Sequence, residues 1–441
     1  MKRRDFIKNT AVSGLGIMSA PNIIRARGKE KVRLGLIGVG LRGTWHLKNS
    51  LERDDVEVTA ICDIDPERIN LAQSMIEKAV APKAEVFDKG DYAYRDLLKK
   101  SGVDAVIIST PWLWHVPMSV DSMKAGKYVG VEVSGASSVD ECWEMVRVHE
   151  ETGTHLMFLE NVCYRRDVMA VLNMVRKGIF GELIHCQGGY QHDLRHVKFD
   201  PGVEFGEKGR SESKWRTQHS IKRNGELYPT HGLGPVMEYL DLNRGNRMIS
   251  LNSQATKSRG LHNYIVEKGG ADHPNARVEF KLGDVVTTMI SCANGETVVL
   301  SHDTNLPRPY SLGFRVQGTR GLWMKDGNQI YIEGVSEKSH RWEPSKPYID
   351  KYDHWMWKKY ENVAAGAGHG GMDFFVLNDF IQSVKREIAP PIDVYDGAAM
   401  MVITPLSERS ISEGGTSQQI PDFTNGRWIK RKPIFGLDKK M

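Results

Sequence analysis

The residues best suited to acid-base chemistry lie in the segment Tyr228-Pro229-Thr230-His231, which Gly232 and Gly234 follow. An imidazole such as that of His231 can accept or donate a proton. Pro229 stiffens the backbone, and the two glycines allow it to approach a ligand closely. The residue types alone fit equally well a histidine that caps the following helix, so both interpretations stay open at this point.

A second chemical motif is the run Gly38-Val39-Gly40-Leu41-Arg42-Gly43, which follows an apolar strand over 32–37 and opens into a helix. In this G-x-G-x-x-G pattern the glycines give a tight turn, close approach to a pyrophosphate and close packing of helix on strand. Asp63 ends the next strand, twenty positions after Gly43. Its carboxylate can accept hydrogen bonds from both ribose hydroxyls and would repel a 2′-phosphate, which favours NAD over NADP.

The elements that must position these residues alternate between strand and helix from residue 31 to residue 160. Repeated units of this kind predict a doubly wound parallel sheet, a Rossmann domain whose ligand lies beyond the carboxyl ends of the strands. We therefore expect the NAD site at those ends, formed by Gly38, Gly40, Leu41, Arg42, Gly43, Asp63, Trp112, Leu113, Trp114, His115, Glu132, Val133 and Asn161.

The remainder, 161–441, predicts a substrate-binding α+β domain with a C-terminal tail. A helix over 167–177 is followed by strands over 183–190, 277–282, 285–292 and 297–302, which indicate a mostly antiparallel open sheet. Helices are expected over 374–385 and 395–412. The overall fold class is thus α/β, with a substrate cleft between the two domains.

Bulk composition excludes several classes. Sixty basic residues against 55 acidic ones give a net charge of only +5, with basic clusters at the two termini alone, so no nucleic-acid partner is indicated. Five widely spaced cysteines argue against a disulfide framework and against zinc. The pairs His192-Asp193 and His302-Asp303 are adjacent on strands and point to opposite faces, so no metal site is expected.

The N-terminal segment 1–30 predicts export. Lys2-Arg3-Arg4-Asp5-Phe6-Ile7-Lys8 resembles a twin-arginine signal, and a mildly apolar stretch over 11–20 follows it. The expected partner is the twin-arginine export machinery, and the expected location is the periplasm. The alternative is a basic disordered tail.

A family resemblance begins at a short apolar strand that ends on Glu132. It lies in the segment Gly126-Lys127-Tyr128-Val129-Gly130-Val131-Glu132-Val133-Ser134-Gly135. Together with the glycine motif, Asp63 and the run 109–115, it resembles the glucose-fructose oxidoreductase/inositol dehydrogenase superfamily. That superfamily continues with Glu-Lys-Pro, and its lysine works beside the nicotinamide. Here the triplet is Glu132-Val133-Ser134, so proton transfer must come from elsewhere.

Longer motifs resemble one branch, the NAD-dependent α-N-acetylgalactosaminidases of glycoside hydrolase family 109. These motifs span the chain after the signal, at 159–170, 188–195, 214–216, 224–232, 243–247, 308–310, 366–373 and 420–426. The resemblance implies a substrate bearing terminal N-acetylgalactosamine, held by Tyr190, Arg216, Tyr228, Pro229, Thr230, His231 and Tyr310. It also favours the functional interpretation of His231, with one of Tyr190, Tyr228 and Tyr310 as its partner in proton transfer. Of these, Tyr310 is grouped with His231 as catalytic, and Tyr228 is expected to touch the cofactor as well.

The mechanism that the resemblance implies is redox-neutral: oxidation at the carbon bearing the 3-hydroxyl, elimination of the aglycone, addition of water, and return of the hydride. Two alternatives remain, an NAD-dependent sugar or inositol dehydrogenase and a non-catalytic, NAD-stabilised sugar-binding protein. A homodimer is expected by analogy with the superfamily alone.

Overall fold

The computed structural model describes residues 30–200, 204, 205, 209 and 211–440. Except for Glu30, the expected export segment 1–30 lies outside the described residues. In the part of the chain that is described, no helix is both long and apolar enough to cross a bilayer. All five cysteines are buried free thiols.

The first sheet is parallel, and its strands within the described residues run in the order β3-β2-β1-β4-β5-β6. Short apolar runs form it because parallel strands are covered on both faces, and every residue of the two strands after β3 is buried. This confirms the predicted doubly wound sheet. The strands are β1 Val32–Ile37, β2 Val56–Cys62, β3 Glu85–Phe87, β4 Ala105–Ile108, β5 Tyr128–Val131 and β6 Leu156–Phe158.

Helices alternate with these strands, and local capping sets where they begin. Asp65 accepts hydrogen bonds from the backbone N–H groups of Glu67 and Arg68, and Ser138 accepts one from Glu141. The helices are α1 Leu41–Leu51, α2 Pro66–Lys78, α3 Tyr94–Leu98, α4 His115–Lys124 and α5 Val139–Thr152.

The second sheet has nine strands among the described residues, in the order β14-β13-β12-β11-β7-β10-β9-β8-β15. All its pairs are antiparallel except β7 with β10, so the predicted mostly antiparallel sheet is confirmed. The strands are β7 Leu183–Gln191, β8 Met248–Ala255, β9 Val285–Cys292, β10 Thr297–Asp303, β11 Arg315–Gly318, β12 Gly321–Met324, β13 Gln329–Ile332, β14 Glu343–Pro344 and β15 Gln418–Gln419.

The helices of this second part surround the sheet, and the one expected over 395–412 is two helices that separate at Val402. Pro405 lies in the first turn of the second of these, where its missing N–H costs nothing. The helices are α6 Arg166–Arg176, α7 Arg195–Lys198, α8 Glu212–Lys222, α9 Thr230–Tyr239, α10 Gly260–Gly269, α11 Lys346–Lys351, α12 Trp355–Ala364, α13 Met372–Arg386, α14 Val394–Met401 and α15 Ile403–Ser412.

The prediction of a strand over 277–282 is wrong, because this segment forms no strand. Its alternation of polar and apolar residues has another cause: Val278 and Phe280 pack against a small separate core that contains Phe199 and Leu261. The alternating pattern therefore reports burial on one side and not a strand pair.

Helix α13 belongs to the second part by sequence, yet it packs on the first sheet. The ring of Phe380 lies edge-on to Tyr128, with centroids 5.7 Å apart. A side chain at Gly130 would come within 3.0 Å of the same ring. The domain boundary at residue 160 stays a prediction, and the structure adds that the first sheet is covered partly by chain from beyond that boundary.

Candidate active site

The glycine motif forms a cradle that fits a dinucleotide. Gly38 has φ +86°, and a side chain at Gly43 would lie 2.0 Å from the carbonyl oxygen of Gly38, so both positions require glycine. At Gly40, by contrast, an added Cβ would meet nothing within 4 Å, which leaves open space for a ligand. Helix α1 begins at Leu41, and its first N–H groups have no side-chain cap. Such N–H groups suit a pyrophosphate.

Asp63 closes one side of this cradle. One carboxylate oxygen accepts a hydrogen bond from the backbone N–H of Val39 at 2.7 Å, and the other accepts one from Asp65 at 3.0 Å. An ionised carboxylate has about four lone-pair sites, so acceptor capacity remains for two ribose hydroxyls. The geometry therefore fits NAD as the sequence predicts.

Arg42 extends its guanidinium between two carboxylates. Its Nε donates to Glu132 Oε1 at 2.6 Å, and its Nη1 and Nη2 donate to Asp373 at 2.7 and 3.0 Å. Asp373 also accepts from Asn161 Nδ2 at 2.8 Å. Arg42, Glu132 and Asn161, all expected at the cofactor, thus share one ionic network. The sequence did not indicate Asp373 as its centre.

The negative charge of Glu132 in this network is stabilised by the neighbouring side chains. Burial alone would raise the pKa of Glu132, but Arg42 and His46 outweigh burial and lower that pKa to about 2. His46 Nε2 lies 2.7 Å from the same carboxylate. Glu132 is therefore ionised, and it organises the strand end without serving as a proton carrier. Val133, the next residue, is buried.

The four residues 112–115, which lie beyond the end of β4, have side chains that point in different directions. Trp112 is buried and reaches the second domain, where its ring lies 5.6 Å from that of Tyr228. Leu113 is 58% exposed, and Trp114 packs edge-on against Tyr92. The His115 ring is buried between backbone carbonyls and braces the neighbouring loops. Of these four side chains, that of Trp112 meets the expected substrate residues.

Those substrate residues do converge into one aromatic cluster. Tyr190 and Tyr228 have ring centroids 4.4 Å apart, and the ring of His231 lies 5.6 Å from the first and 4.9 Å from the second. The Tyr310 ring lies 6.3 Å from that of Tyr190 and is half exposed. The guanidinium of Arg216 sits 5.6 Å from the Tyr228 ring. These five residues are distant in the sequence and form one cluster in the fold.

Burial raises the pKa values of Tyr190, Tyr228 and Tyr310 above the usual phenol range. All three phenols consequently keep their protons at neutral pH and can donate hydrogen bonds or a proton.

His231 lies in the first turn of α9, after Pro229 at the N-cap position. Its Nδ1 contacts both carboxylate oxygens of Glu160, at 2.7 and 2.9 Å. Glu160 is fully buried and follows β6 closely. Such a pairing fixes the orientation of the ring, as in other histidine-carboxylate pairs. The buried Thr230 hydroxyl beside it has no hydrogen-bond partner among the described residues.

Glu160 was missed by the sequence reasoning, although a signal existed. It follows a predicted strand of the first sheet and adjoins Asn161, which the strand-end argument did select. Gly234, one turn after His231, makes room for it, because a Cβ there would lie 2.7 Å from Glu160 Cγ.

A parallel sheet with a glycine cradle, joined to an open antiparallel sheet that carries an aromatic acid-base cluster, defines a two-domain NAD-binding protein of the oxidoreductase superfamily. The family description "Oxidoreductase family, NAD-binding Rossmann fold" matches residues 32–159. The solved structure of levoglucosan dehydrogenase in complex with NADH and levoglucosan superposes with a TM-score of 0.66. It is 19% identical and covers 89% of this chain and 100% of that one. At this identity the likeness shows the fold.

Within that class the chain belongs to glycosyl hydrolase family 109. The description "Glycosyl hydrolase 109, C-terminal domain" matches residues 164–430. A glycosyl hydrolase family 109 protein of Stenotrophomonas maltophilia (strain K279a) is 52% identical over 100% of this chain and 99% of its own. An alpha-N-acetylgalactosaminidase of Tannerella forsythia is 50% identical over 99% of each. The protein is thus a glycoside hydrolase, and NAD is its cofactor.

Proposed function

We propose that the enzyme removes terminal α-linked N-acetylgalactosamine without net oxidation or reduction. The observation that carries this proposal is the His231–Glu160 pair, which contacts the protonated tyrosines Tyr190 and Tyr228. Glu160 adjoins Asn161, which is joined through Asp373 to Arg42 of the glycine motif. The likeness to the Tannerella forsythia enzyme supports the choice of sugar.

NAD, when bound, would supply reversible hydride transfer at the carbon that carries the sugar's 3-hydroxyl, with the hydroxyl proton released to solvent during oxidation and taken back during re-reduction. Oxidation there makes the neighbouring C–H acidic, and the protein must then take a proton from it. We assign that step to His231 Nε2, because Nδ1 is held by Glu160. The ion pair stabilises the positive charge that forms on the ring.

The departing aglycone needs a proton on its oxygen. We assign this step to Tyr310, whose phenol keeps its proton and whose side chain is 49% exposed, so it lies where an aglycone can leave. Arg216 and Tyr190 orient the sugar through their hydrogen-bond donors. Trp112 and Tyr228, whose ring centroids lie 5.6 Å apart, would contact both the cofactor and the sugar.

The test follows nitrophenol release from 4-nitrophenyl α-N-acetylgalactosaminide together with the ultraviolet absorbance of NADH, in deuterated water. We expect turnover without accumulating NADH and with solvent deuterium at carbon 2 of the product. Product without deuterium would refute the elimination step. Steady accumulation of NADH would indicate a dehydrogenase, and sugar binding without turnover of any glycoside would indicate a binding protein.

We also propose export by the twin-arginine route, on the basis of the segment Lys2-Arg3-Arg4-Asp5-Phe6-Ile7-Lys8. Replacement of both arginines by lysine should retain the protein in the cytoplasm, as cell fractionation would show. Association into a homodimer is proposed by superfamily analogy, and its test is the mass in solution.

A further inference from the structure

A glycine-rich loop over 366–371 lies between helices α12 and α13. All four of its glycines have positive φ, between +69° and +98°, a conformation that other residues rarely adopt. His369 lies among them and itself has φ +43°. The backbone of this loop is therefore shaped to present one imidazole.

The loop runs along helix α1 toward the end where that helix begins. The carbonyl oxygen of Ala367 accepts a hydrogen bond from Asn49 Nδ2 at 3.0 Å, in the last turn of α1. Two residues further on, His369 Nδ1 lies 3.4 Å from Arg42 Nη1, in the first turn. Side chains on a helix point back toward its N-terminus, so the His369 ring lies beside the N–H groups that face the cofactor cradle.

One nitrogen of the His369 ring is held, and the other is available to a ligand. Burial would raise the pKa of Asp373, but His369 and Arg42 lower it well below its usual range, so this carboxylate is ionised and accepts hydrogen bonds. Its Oδ2 lies 2.8 Å from His369 Nδ1. Nε2 has no hydrogen-bond partner among the described residues, and the side chain is 52% exposed. Because Nδ1 donates to the carboxylate, Nε2 donates in the imidazolium form, which a bound phosphate favours.

The charge balance at this end of α1 leaves a use for such a donor. Arg42 directs Nε to Glu132, and Nη1 and Nη2 to Asp373, so two carboxylates already balance its positive charge. Each phosphate of a dinucleotide brings a further negative charge to the cradle. A charged hydrogen bond from the neighbouring loop would therefore strengthen binding beyond what the helix N–H groups supply.

We propose that His369 is a cofactor-binding residue, whose Nε2 donates a hydrogen bond to the pyrophosphate of NAD, and that the loop 366–371 thereby retains the cofactor in its cradle. The inference concerns NAD alone. It does not depend on the hydrolytic mechanism proposed above, and its tests need no glycoside.

The experiment measures the affinity of the full chain, freed of cofactor, for NAD, ADP-ribose and adenosine by isothermal titration calorimetry. The first two ligands contain the pyrophosphate, whereas adenosine lacks it. The variant is His369→Asn, because asparagine tolerates the positive φ at this position and has a shorter side chain. We expect the dissociation constants for NAD and ADP-ribose to rise about tenfold or more, and that for adenosine to stay within about twofold of wild type.

His340→Asn is the matched control. It makes the same change at another exposed histidine with positive φ, +60°, which lies between β13 and β14 of the second sheet. All three dissociation constants should stay at the wild-type values.

A second readout separates contact with the phosphates from a purely structural role. Salt screens an ionic contact, so the affinity for ADP-ribose should fall less steeply with added sodium chloride in His369→Asn than in wild type. Equal salt dependence in the two proteins would mean that His369 acts only by holding Asp373 in place, and would overturn the proposal.

The rate of cofactor release gives a third test, which applies even if the purified protein keeps its NAD. Exchange of bound NAD for isotopically labelled NAD should be about tenfold faster in His369→Asn, because a lost contact acts mainly on dissociation. It should be unchanged in His340→Asn. An unchanged release rate in His369→Asn, or an equal loss of affinity for NAD, ADP-ribose and adenosine, would overturn the proposal.

Discussion

Replacement of Glu160 by glutamine isolates the contribution of charge beside His231. The carboxylate is fully buried, contacts His231 Nδ1 at 2.7 and 2.9 Å, and accepts the backbone N–H of Val162 at 3.0 Å. Glutamine keeps the shape and one acceptor oxygen, so the ring stays in place while the negative charge is lost. The imidazolium that forms during proton abstraction is then no longer stabilised by an ion pair.

A hydrogen bond to a charged group contributes about 1.5 to 3 kcal/mol. If that contribution exists mainly in the transition state, Glu160→Gln should lower kcat about 10- to 150-fold. KM should change little, because the sugar-holding side chains Tyr190 and Arg216 are untouched. Affinity for NAD should also stay the same, since the glycine cradle is intact.

The assay measures kcat and KM for the 4-nitrophenyl α-N-acetylgalactosaminide, with deuterium exchange at carbon 2 as a direct measure of proton abstraction. Gly234→Ala serves as an independent approach, because its Cβ would press on Glu160 Cγ at 2.7 Å and displace the same carboxylate. A kcat within about threefold of wild type in Glu160→Gln, with exchange undiminished, would refute the role given to this pair.

Three other predictions concern the cofactor and stability. Gly43→Ala should lower the melting temperature, because its Cβ would lie 2.0 Å from a carbonyl oxygen, whereas Gly40→Ala meets open space and should weaken only NAD binding, measured by calorimetry. Asp373→Asn should speed NAD release and cost about 1.5–3 kcal/mol of stability, because Arg42 loses its charged hydrogen bonds to Asp373 but keeps Glu132. Burial raises the pKa of Glu226 from 4.5 to about 8, so between these pH values the folded state keeps a proton that the unfolded chain has lost. The free energy of unfolding should therefore fall as the pH rises across that interval, by about 5 kcal/mol at most. In urea titrations at several pH values, Glu226→Gln should show a weaker dependence of stability on pH.

Each of these predictions can fail clearly. Equal NAD affinity in wild type and Gly40→Ala would mean that the cofactor does not approach this glycine. Unchanged NAD release in a folded Asp373→Asn protein would limit the network to a structural role. If Glu226→Gln shows the same decline in stability between acid and neutral pH as the wild type, another buried acid carries that dependence.

The sequence was most informative where a pattern is local. Strand, turn, helix and acid follow one another within 32 residues from Val32 to Asp63, and each was found where expected, because backbone sterics and burial act on near neighbours. The strand-end rule also found Glu132 and Asn161. The incorrect prediction of a strand over 277–282 shows the limit of such patterns. A segment that buries one side can alternate polar and apolar residues without pairing with another strand.

Interactions between distant parts of the chain gave no such signal. Arg42 and Asp373 are separated by 331 positions, and no periodicity relates them, so the ionic network was seen only in part. Pairing of His231 with Glu160 spans 71 positions and likewise depends on how the two sheets meet. The residue types at the cluster were expected from the resemblance, whereas their mutual distances required the fold.

Helix α13 has a consequence for how this enzyme can be divided. A fragment that stops at residue 160 would retain every glycine of the cradle but would expose Gly130 and Tyr128, the surface that Phe380 covers. It would also leave Arg42 and Glu132 without Asp373. The nucleotide-binding half is therefore not a transferable module: grafting it onto another partner, or expressing it alone, would require a substitute for a helix encoded more than 200 residues downstream.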